Sequence, residues 1–344
     1  MKEKEMKIKL SYITGLRSVV LDELAKHPRV RINGENQDSI YIDFLEEIIP
    51  EIKELKSVAR AYIVLQDNKY NPSYISNHKS ILKNLIDLIT KKHQKEFTSF
   101  KISCAGSDSP EVTNISKYIQ STCNLNPKED ADLKIYLSKL KNIWEIGIQI
   151  TPRPLSLRDY KVAHMGGAMD PTIAYAMNSF CSLEKVSSYL NVFSGSGTLL
   201  IEAGRCYPNL DKLIGFDSNK KHLSLSIQNV KKAGLIKRIL LKEGNIFDKP
   251  NLEKFDIIVS DLPFGMSISK HENLKEIYKT FVEYCQDVLN KDGRLVVYTS
   301  EYELLKSIIK DSRLKIIGTT DVSFITSVNA LLKTKIIICK LKTN

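Results

Sequence analysis

The 344-residue chain has no pair of cysteines spaced C-x-x-C, and none of its six thiols, at 104, 123, 181, 206, 285 and 339, has a histidine at metal-ligand spacing. Zinc and a disulfide framework are therefore not expected, and neutral thiols in a reducing compartment are the default. No apolar run approaches the roughly 20 residues of a membrane-spanning helix, because Lys, Glu or Asp interrupts every such stretch. The opening segment MKEKEMKIKL lacks an apolar h-region. A secretory signal is not expected, and the cytoplasm is the expected location. Internal repeats and low-complexity tracts are also absent.

What is present is ordinary globular composition, 42% apolar and 26% charged. The length corresponds to about two domains. Lys and Arg number 51 against 40 Asp and Glu, a net charge of +11. The surplus is uneven, +3 over the first 150 residues and +8 over the rest. A basic surplus suits a polyanionic partner, since neutralised phosphates release counterions. A Lys-rich proteome would give the same balance.

Apolar spacing divides the chain into three parts. Residues 7–13 and 39–44 read as strands, with a helix from Gly15 to His27 between them and a short helix over 46–54. A second module has strands at 58–65, 100–104, 133–137 and 144–150, with helices over 73–92 and 109–122. The mixture is α+β. The segment 151–160, with two prolines, reads as a connector. From about 165, strands at 188–193, 212–217, 238–242, 255–260, 293–299, 314–318 and 334–341 alternate with helices. That order predicts an open, seven-stranded, mostly parallel α/β sheet with helices on both faces.

Three strand ends in this last part carry the chemistry. Asn191-Val-Phe-Ser-Gly-Ser-Gly-Thr198 closes the first strand, and its Gly195 and Gly197 allow a tight turn with close approach to a ligand. The run is neither a Gly-x-Gly-x-x-Gly fingerprint, since position 200 is Leu, nor a Walker loop, since no Lys follows. An ordinary βα turn reads equally well from these letters alone. Asp217 ends the next strand, 20 residues after Gly197, where a carboxylate suits a ribose diol; it could equally cap the helix near Lys220. The third element, Ser260-Asp261-Leu262-Pro263-Phe264-Gly265, is the most specific. Asp261 and a backbone carbonyl can accept the two N–H bonds of an exocyclic amine, Pro263 stiffens the loop, and Phe264 can stack on a base.

The order NVFSGSGTLLIEA, GFDSN, EGN, DLPFG resembles the class I S-adenosylmethionine (SAM)-dependent methyltransferases that methylate amino groups. The stretches SYITGLRSVVLDEL, FKISCAGSDSPEVTNISKYI and IGIQITPRPLSLRDYKVAHMGGAMDPTIAYAM resemble the THUMP-containing tRNA guanine-N2-methyltransferases. The last stretch includes the junction residues Leu155, Arg158 and Tyr160. The resemblance implies a ferredoxin-like domain over 1–55, a THUMP-like RNA-binding domain over 56–152, a linker over 153–164, and a Rossmann-like catalytic domain over 165–344.

It also implies site residues. SAM would be held by Asn191, Phe193, Gly195, Ser196, Gly197, Thr198, Asp217, Ser218, Asn245 and Ile246. Asp261, Pro263 and Phe264 would serve catalysis, and Lys101, Lys117, Lys139, Lys141, Arg153 and Arg158 would contact tRNA. Asn191, Ser194 and Asn245 depart from the family pattern of Asp or Glu, Cys and Asp. Asn191 offers no carboxylate toward a methionine ammonium, whereas Asn245 still has a carbonyl oxygen to accept a hydrogen bond.

The implied reaction is direct methyl transfer to guanine N2, at position 6 of the acceptor stem or position 10 of the core, with position 6 preferred. A monomer without metal is expected. His164 and His271 are alternative proton acceptors. The rival readings are an adenine-N6 methyltransferase of rRNA or DNA, and an RNA-binding protein whose methyltransferase fold has lost its cofactor.

Overall fold

Apolar residues alternating along short β-rich runs, such as Ile8 and Leu10 or Ile40 and Ile42, give strands with one buried face. The computed structural model describes residues 6–90, 97–104, 106, 108–250, 253–264, 271–325 and 330–342. The chain forms two units: Met1–Tyr12 with Val20–Ser156, and Ile13–Val19 with Leu157–Asn344.

Up to Gln149 the order is β1 (Lys7–Ser11), α1 (Arg17–Leu24, whose first three residues belong to the second unit), β2 (Ile32–Glu35), β3 (Ser39–Asp43), α2 (Ile49–Lys53), β4 (Arg60–Gln66), α3 (Lys79–Thr90), β5 (Ser99–Ser103), α4 (Pro110–Cys123), β6 (Asn126–Pro127), β7 (Leu133–Leu140) and β8 (Ile143–Gln149). One sheet, ordered β2-β3-β1-β4-β8-β7-β5-β6, contains all eight strands. β4 pairs antiparallel with both β1 and β8.

The core lies on one face of this sheet, where Ile63, Leu65, Ile146 and Ile148 meet Leu82, Leu85, Ile115 and Ile119 of α3 and α4. The start of α4 shows why its sequence is helical there. Ser109 caps it by accepting from the Val112 N–H, Pro110 takes the first turn, and Asn124 ends it in the left-handed region. Polar side chains occupy other sheet positions: buried Glu145 accepts from Lys9 Nζ at 2.9 Å, Tyr136 Oη at 2.6 Å and Gln66 Nε2 at 2.8 Å.

The second unit contains α5 (Pro171–Ser179), β9 (Ser188–Val192), α6 (Thr198–Cys206), β10 (Lys212–Asp217), α7 (Lys220–Lys232), β11 (Ile239–Glu243), β12 (Phe255–Asp261), α8 (His271–Val288), β13 (Leu289–Thr299), α9 (Tyr302–Lys310), β14 (Leu314–Ile325) and β15 (Leu331–Leu341). Its seven-stranded sheet runs β11-β10-β9-β12-β13-β15-β14. The first five strands are parallel; β15 is antiparallel to both β13 and β14. The mostly parallel order matches the expectation from sequence. β9 is buried throughout, with Tyr189 in the core that includes α5 and α6 and Leu190 in the core that includes α8. The strand order reverses at β9, between β10 and β12, so the carboxyl ends of these three strands border the crevice such sheets use for ligands.

Strands β2 and β6 are additional to those expected, β13 and β15 begin before the expected 293 and 334, and a 3-10 turn at Ile246–Asp248 stands where a helix is expected between β11 and β12. Two further differences have a visible physical cause. The strand expected over 314–318 runs on to Ile325, because a register shift between Ile316 and Gly318 lets the ladder continue past a residue that interrupts the apolar pattern. The first helix begins at Arg17, not at Gly15. Gly15 has φ +101°, Thr14 is bridged to Ser323, and any Cβ on residue 15 would overlap the Asp321 carbonyl. Only glycine can make that approach.

Candidate active site

The turn after β9 is held by its own backbone and by the end of β10. Gly195 and Gly197 have φ of +51° and +78°, and Phe193 also sits at positive φ. The Gly197 N–H donates to the Ser194 carbonyl at 2.8 Å, and the Ser194 N–H to that of Phe216 at 3.0 Å. Asp217 Oδ2 accepts from the Gly195 N–H at 2.9 Å, and its Oδ1 accepts from the Asn219 N–H at 2.9 Å. The cap of α7 is the next residue but one: Asn219 Oδ1 accepts from the Lys221 N–H. This frees Asp217 from the capping role that the sequence left open.

Helix α7 clamps the same turn from its buried stripe, Leu223, Ser226, Asn229 and Val230. A Cβ on Gly197 would overlap Ser226 Oγ, and one on Gly195 would lie 3.2 Å from Met165 Cε. Asn229 is fully buried and ties two segments together. Its Oδ1 accepts from the Ala163 N–H at 2.9 Å, while Nδ2 donates to the carbonyls of Ala163 and Ser196, both at 3.2 Å. Sequence reasoning missed Asn229. Its signal was a polar residue on the apolar stripe of an amphipathic helix.

The three departures from the family pattern have distinct settings. Asn191 is fully buried, and its Nδ2 donates to the carbonyls of Val192 at 3.1 Å and Val259 at 3.0 Å. An ionised carboxylate has no proton to give those carbonyls, so the amide suits this position better than aspartate. Its Oδ1 has no partner, and neither do the buried hydroxyls of Ser194 and Ser226. Asn245 is exposed after β11 and uses its Oδ1 to accept from the Phe247 N–H at 3.1 Å. A second lone pair remains on that oxygen. The Ile246 side chain is buried in the core, Phe193 packs on Phe281 with centroids 5.9 Å apart, Ser218 is exposed, and Ser196 Oγ lies 2.9 Å from Thr198 Oγ1.

β12 ends at Asp261, opposite Tyr298 of β13. The following residues are pinned on both sides. Leu262 N–H donates to the Tyr298 carbonyl at 3.0 Å, and the Pro263 carbonyl accepts from Tyr278 Oη at 3.1 Å. The Phe264 ring lies 5.8 Å from that of Tyr298, tilted by 56°. Burial pushes the Asp261 carboxyl up to about 7, and among the described residues no hydrogen bond reaches its carboxylate. This is what an amine-accepting carboxylate needs: unengaged oxygens and a proton affinity matched to neutral pH. Gly265 and the side chain of His271 lie outside the described residues. His164 is exposed on the segment before α5.

One residue expected at an RNA surface is not there. The Arg158 side chain is 7% exposed and its guanidinium pairs with Glu202, which is 2% exposed, at 3.1 Å. Tyr160 Oη donates to the same carboxylate at 2.7 Å. Desolvating an ion pair is tolerable only with such extra bonds, so Arg158 is committed inside the fold and is not available to phosphates. Arg153, Lys117, Lys139 and Lys141 are exposed; Lys139 and Lys141 flank the turn between β7 and β8. Lys101 pairs with exposed Glu129 at 2.5 Å. No helix among the described residues is long and apolar enough to cross a membrane.

Comparison with known proteins gives three kinds of match. The RMKL-like methyltransferase domain matches residues 158–327. Over 231 residues the chain is 27% identical to the U6 snRNA (guanine-N(2))-methyltransferase THUMPD2 of Bos taurus, covering 63% of this chain and 44% of that protein. The chain thus spans less than half the length of that relative. It is also 22% identical over 371 residues to the tRNA (guanine(6)-N2)-methyltransferase of Methanocaldococcus jannaschii, covering 91% of this chain and 96% of the other. The crystal structure of TrmN from Thermus thermophilus superposes with a TM-score of 0.75 at 19% identity, covering 98% of this chain and 99% of that one, a likeness of fold.

Proposed function

Because the chain belongs to the RMKL-like methyltransferase domain family, we propose that it transfers a methyl group from SAM to the exocyclic N2 of a guanine in tRNA. The observation that carries this reading is Asp261: a strand-end carboxylate with no hydrogen-bond partner among the described residues, pushed up to about 7, followed by Leu-Pro-Phe. The strand bearing it is the immediate neighbour of the strand bearing the glycine turn. The names of the two relatives support guanine over adenine.

The residues at the strand ends fit the cofactor. Gly195 and Gly197, both at positive φ, let the turn fold tightly, with Gly197 packed so close to α7 that a Cβ would overlap Ser226. Asp217, its carboxylate already fixed by Gly195 and Asn219, keeps lone pairs for ribose hydroxyls, and Asn245 keeps one for an adenine amino group. Phe193, Ser196, Thr198, Ser218 and Ile246 complete the neighbourhood. SAM supplies an electrophilic methyl group on its sulfonium.

The protein's task is to orient and deprotonate a poor nucleophile. The N2 lone pair of guanine is delocalised into the ring. Asp261 accepts one N–H. The Pro263 carbonyl already has one lone pair taken by Tyr278, whereas the Leu262 carbonyl is unengaged among the described residues and serves as the second acceptor in the loop. As N2 gains the methyl group it loses one proton, and the Asp261 carboxylate takes it. The contribution is position and electrostatics, without a covalent intermediate. Phe264 stacks on the guanine, which must leave the tRNA stem to reach the loop.

Residues 56–152 are read as the THUMP-like tRNA-binding part, with Lys117, Lys139, Lys141 and, once released from Glu129, Lys101 as phosphate contacts, joined by Arg153 of the linker. Position 6 of the acceptor stem is preferred over position 10. The protein is read as a cytoplasmic monomer; its six free thiols, none exposed, suit a reducing compartment. The test is mass mapping of nucleosides in tRNA incubated with protein and SAM. N2-methylguanosine at position 6 is expected. N6-methyladenosine, or no methyl transfer together with no heat of SAH binding by calorimetry, would replace this reading with one of its rivals.

A further inference from the structure

Tyr278, on α8, is a fully buried tyrosine whose hydroxyl reaches the Asp261–Phe264 loop from behind. Its oxygen lies 2.7 Å from Thr299 Oγ1 and 3.1 Å from the Pro263 carbonyl oxygen. The proton directions are forced. A carbonyl has no proton to give, so Tyr278 donates to Pro263. The phenol has only one proton, so Thr299 donates to Tyr278. Thr299 Oγ1, also buried, accepts in turn from the Glu301 N–H at 2.9 Å. The result is a directed chain, Glu301 N–H to Thr299 to Tyr278 to the Pro263 carbonyl, in which every proton has one destination.

The front of the loop is held separately. Leu262 N–H is taken by the Tyr298 carbonyl, and the Phe264 ring leans on the Tyr298 ring. With the Leu262 N–H and the Pro263 carbonyl both committed, the peptide plane between these residues has little freedom to turn. The acceptors left in the loop are the Asp261 carboxylate and the Leu262 carbonyl; among the described residues nothing donates to either.

We propose that Tyr278, oriented by Thr299, is a positioning residue that fixes the Leu262–Pro263 peptide so that the Asp261 carboxylate and Leu262 carbonyl act as one two-point acceptor for the substrate amine. This rests on the methyltransferase reading above. Tyr278 touches no reacting atom, and its contribution is geometric. Misplacement of a reacting group by about 1 Å costs on the order of 100-fold in rate. Without the phenol hydroxyl the half-buried Pro263 carbonyl would lose its donor, and the loop would turn to find another.

The experiment uses the full chain and four variants: Tyr278→Phe, Thr299→Val, Thr299→Ser and the Tyr278→Phe/Thr299→Val pair. Methylation of tRNA, SAH affinity and the hydrogen-exchange rate of the Leu262 amide are measured on each. Tyr278→Phe should lower kcat by roughly 10- to 100-fold. The KM for tRNA and the Kd for SAH should stay within about twofold. Thr299→Ser keeps the hydroxyl and should keep the parental kcat, whereas Thr299→Val should not. The double variant should be no slower than Tyr278→Phe, because both residues act through one bond. Leu262 amide exchange should quicken in Tyr278→Phe.

A kcat within about twofold of the parent in Tyr278→Phe would overturn the proposal, as would equal losses in Thr299→Ser and Thr299→Val. If the parent methylates no tRNA while Leu262 exchange still quickens in Tyr278→Phe, the substrate reading falls and the tether stands. Unchanged Leu262 exchange would remove the tether whatever the substrate.

Discussion

The N–H of Gly195 donates to Oδ2 of Asp217 across 2.9 Å, joining the turn after β9 to the end of β10. The carboxylate proposed to read the ribose is therefore also the group that sets the shape of the glycine turn. Replacing it should cost twice. Asp217→Ala should raise the Kd for SAH at least tenfold. It should also destabilise the fold by about 2 kcal/mol, since hydrogen bonds to a charged acceptor are worth roughly 1.5–3 kcal/mol each and water can replace part of that. Calorimetry and urea unfolding measure the two effects. Parental affinity in Asp217→Ala would remove this residue from the cofactor site.

The buried pair of Arg158 and Glu202 gives a prediction opposite to that for surface arginines. Arg158→Met strands a carboxylate that is 2% exposed, to which Tyr160 Oη still donates. A loss of about 3–5 kcal/mol is expected, and Arg158→Met/Glu202→Met should recover most of it. The tRNA affinity of folded Arg158→Met should match the parent, whereas Arg153→Ala should reduce both affinity and its salt slope. Filter binding across a salt series makes the comparison. A tenfold loss of affinity in a fully stable Arg158→Met would return this residue to the RNA surface.

At Gly197 two constraints coincide: a φ of +78°, and Ser226 Oγ where a Cβ would go. Gly197→Ala should lower the Tm by several degrees. Adding Ser226→Gly removes the overlap but leaves a backbone cost of about 1 kcal/mol, so the double variant should recover only in part. Ser226→Ala alone should be neutral or slightly stabilising, because its buried hydroxyl has no partner to lose. A marked destabilisation by Ser226→Ala would show that the hydroxyl is engaged.

The carboxyl of Asp261, pushed up to about 7 by burial, sets the pH dependence. Only the ionised form accepts the amine proton. The single-turnover rate should therefore rise about tenfold per pH unit below 7 and level off above it. Stability runs the other way. The folded value lies above the ordinary carboxylate value, so the folded state binds the extra proton between about 4 and 7, and this group's contribution to stability falls as pH rises through that window. Asp261→Asn should flatten the stability difference across the same range. A rate independent of pH from 5 to 8 would contradict the assignment.

How far the chain could be read in advance depended on the range of the interaction. Strand–helix alternation over 188–341 and the glycine turn, Asp217 and Asp261 at neighbouring strand ends are local patterns, each written within a few residues. The extent of β14 was hidden because Gly318 breaks the alternation while the ladder continues through a bulge. Arg158 looked like a phosphate contact because its partner Glu202 stands 44 residues away and is itself buried. Tyr278 was one of fifteen tyrosines. Nothing in its neighbourhood along α8 says that its hydroxyl meets Pro263; only the folded sheet brings them together. Asn229 was legible in principle, since an amide on the buried stripe of α7 must find backbone partners.

The central claim, that Asp261 orients and deprotonates the exocyclic amine of guanine, is tested most directly by single-turnover methylation of a tRNA transcript. The parent and Asp261→Ala are compared, and the product is read as N2-methylguanosine by mass. Asp261→Ala should lose turnover almost completely while keeping tRNA affinity within about twofold, because phosphate contacts elsewhere in the chain supply most of that affinity. A rate within about tenfold of the parent, a barrier change below about 1.4 kcal/mol, would mean that Asp261 is not the amine-orienting group.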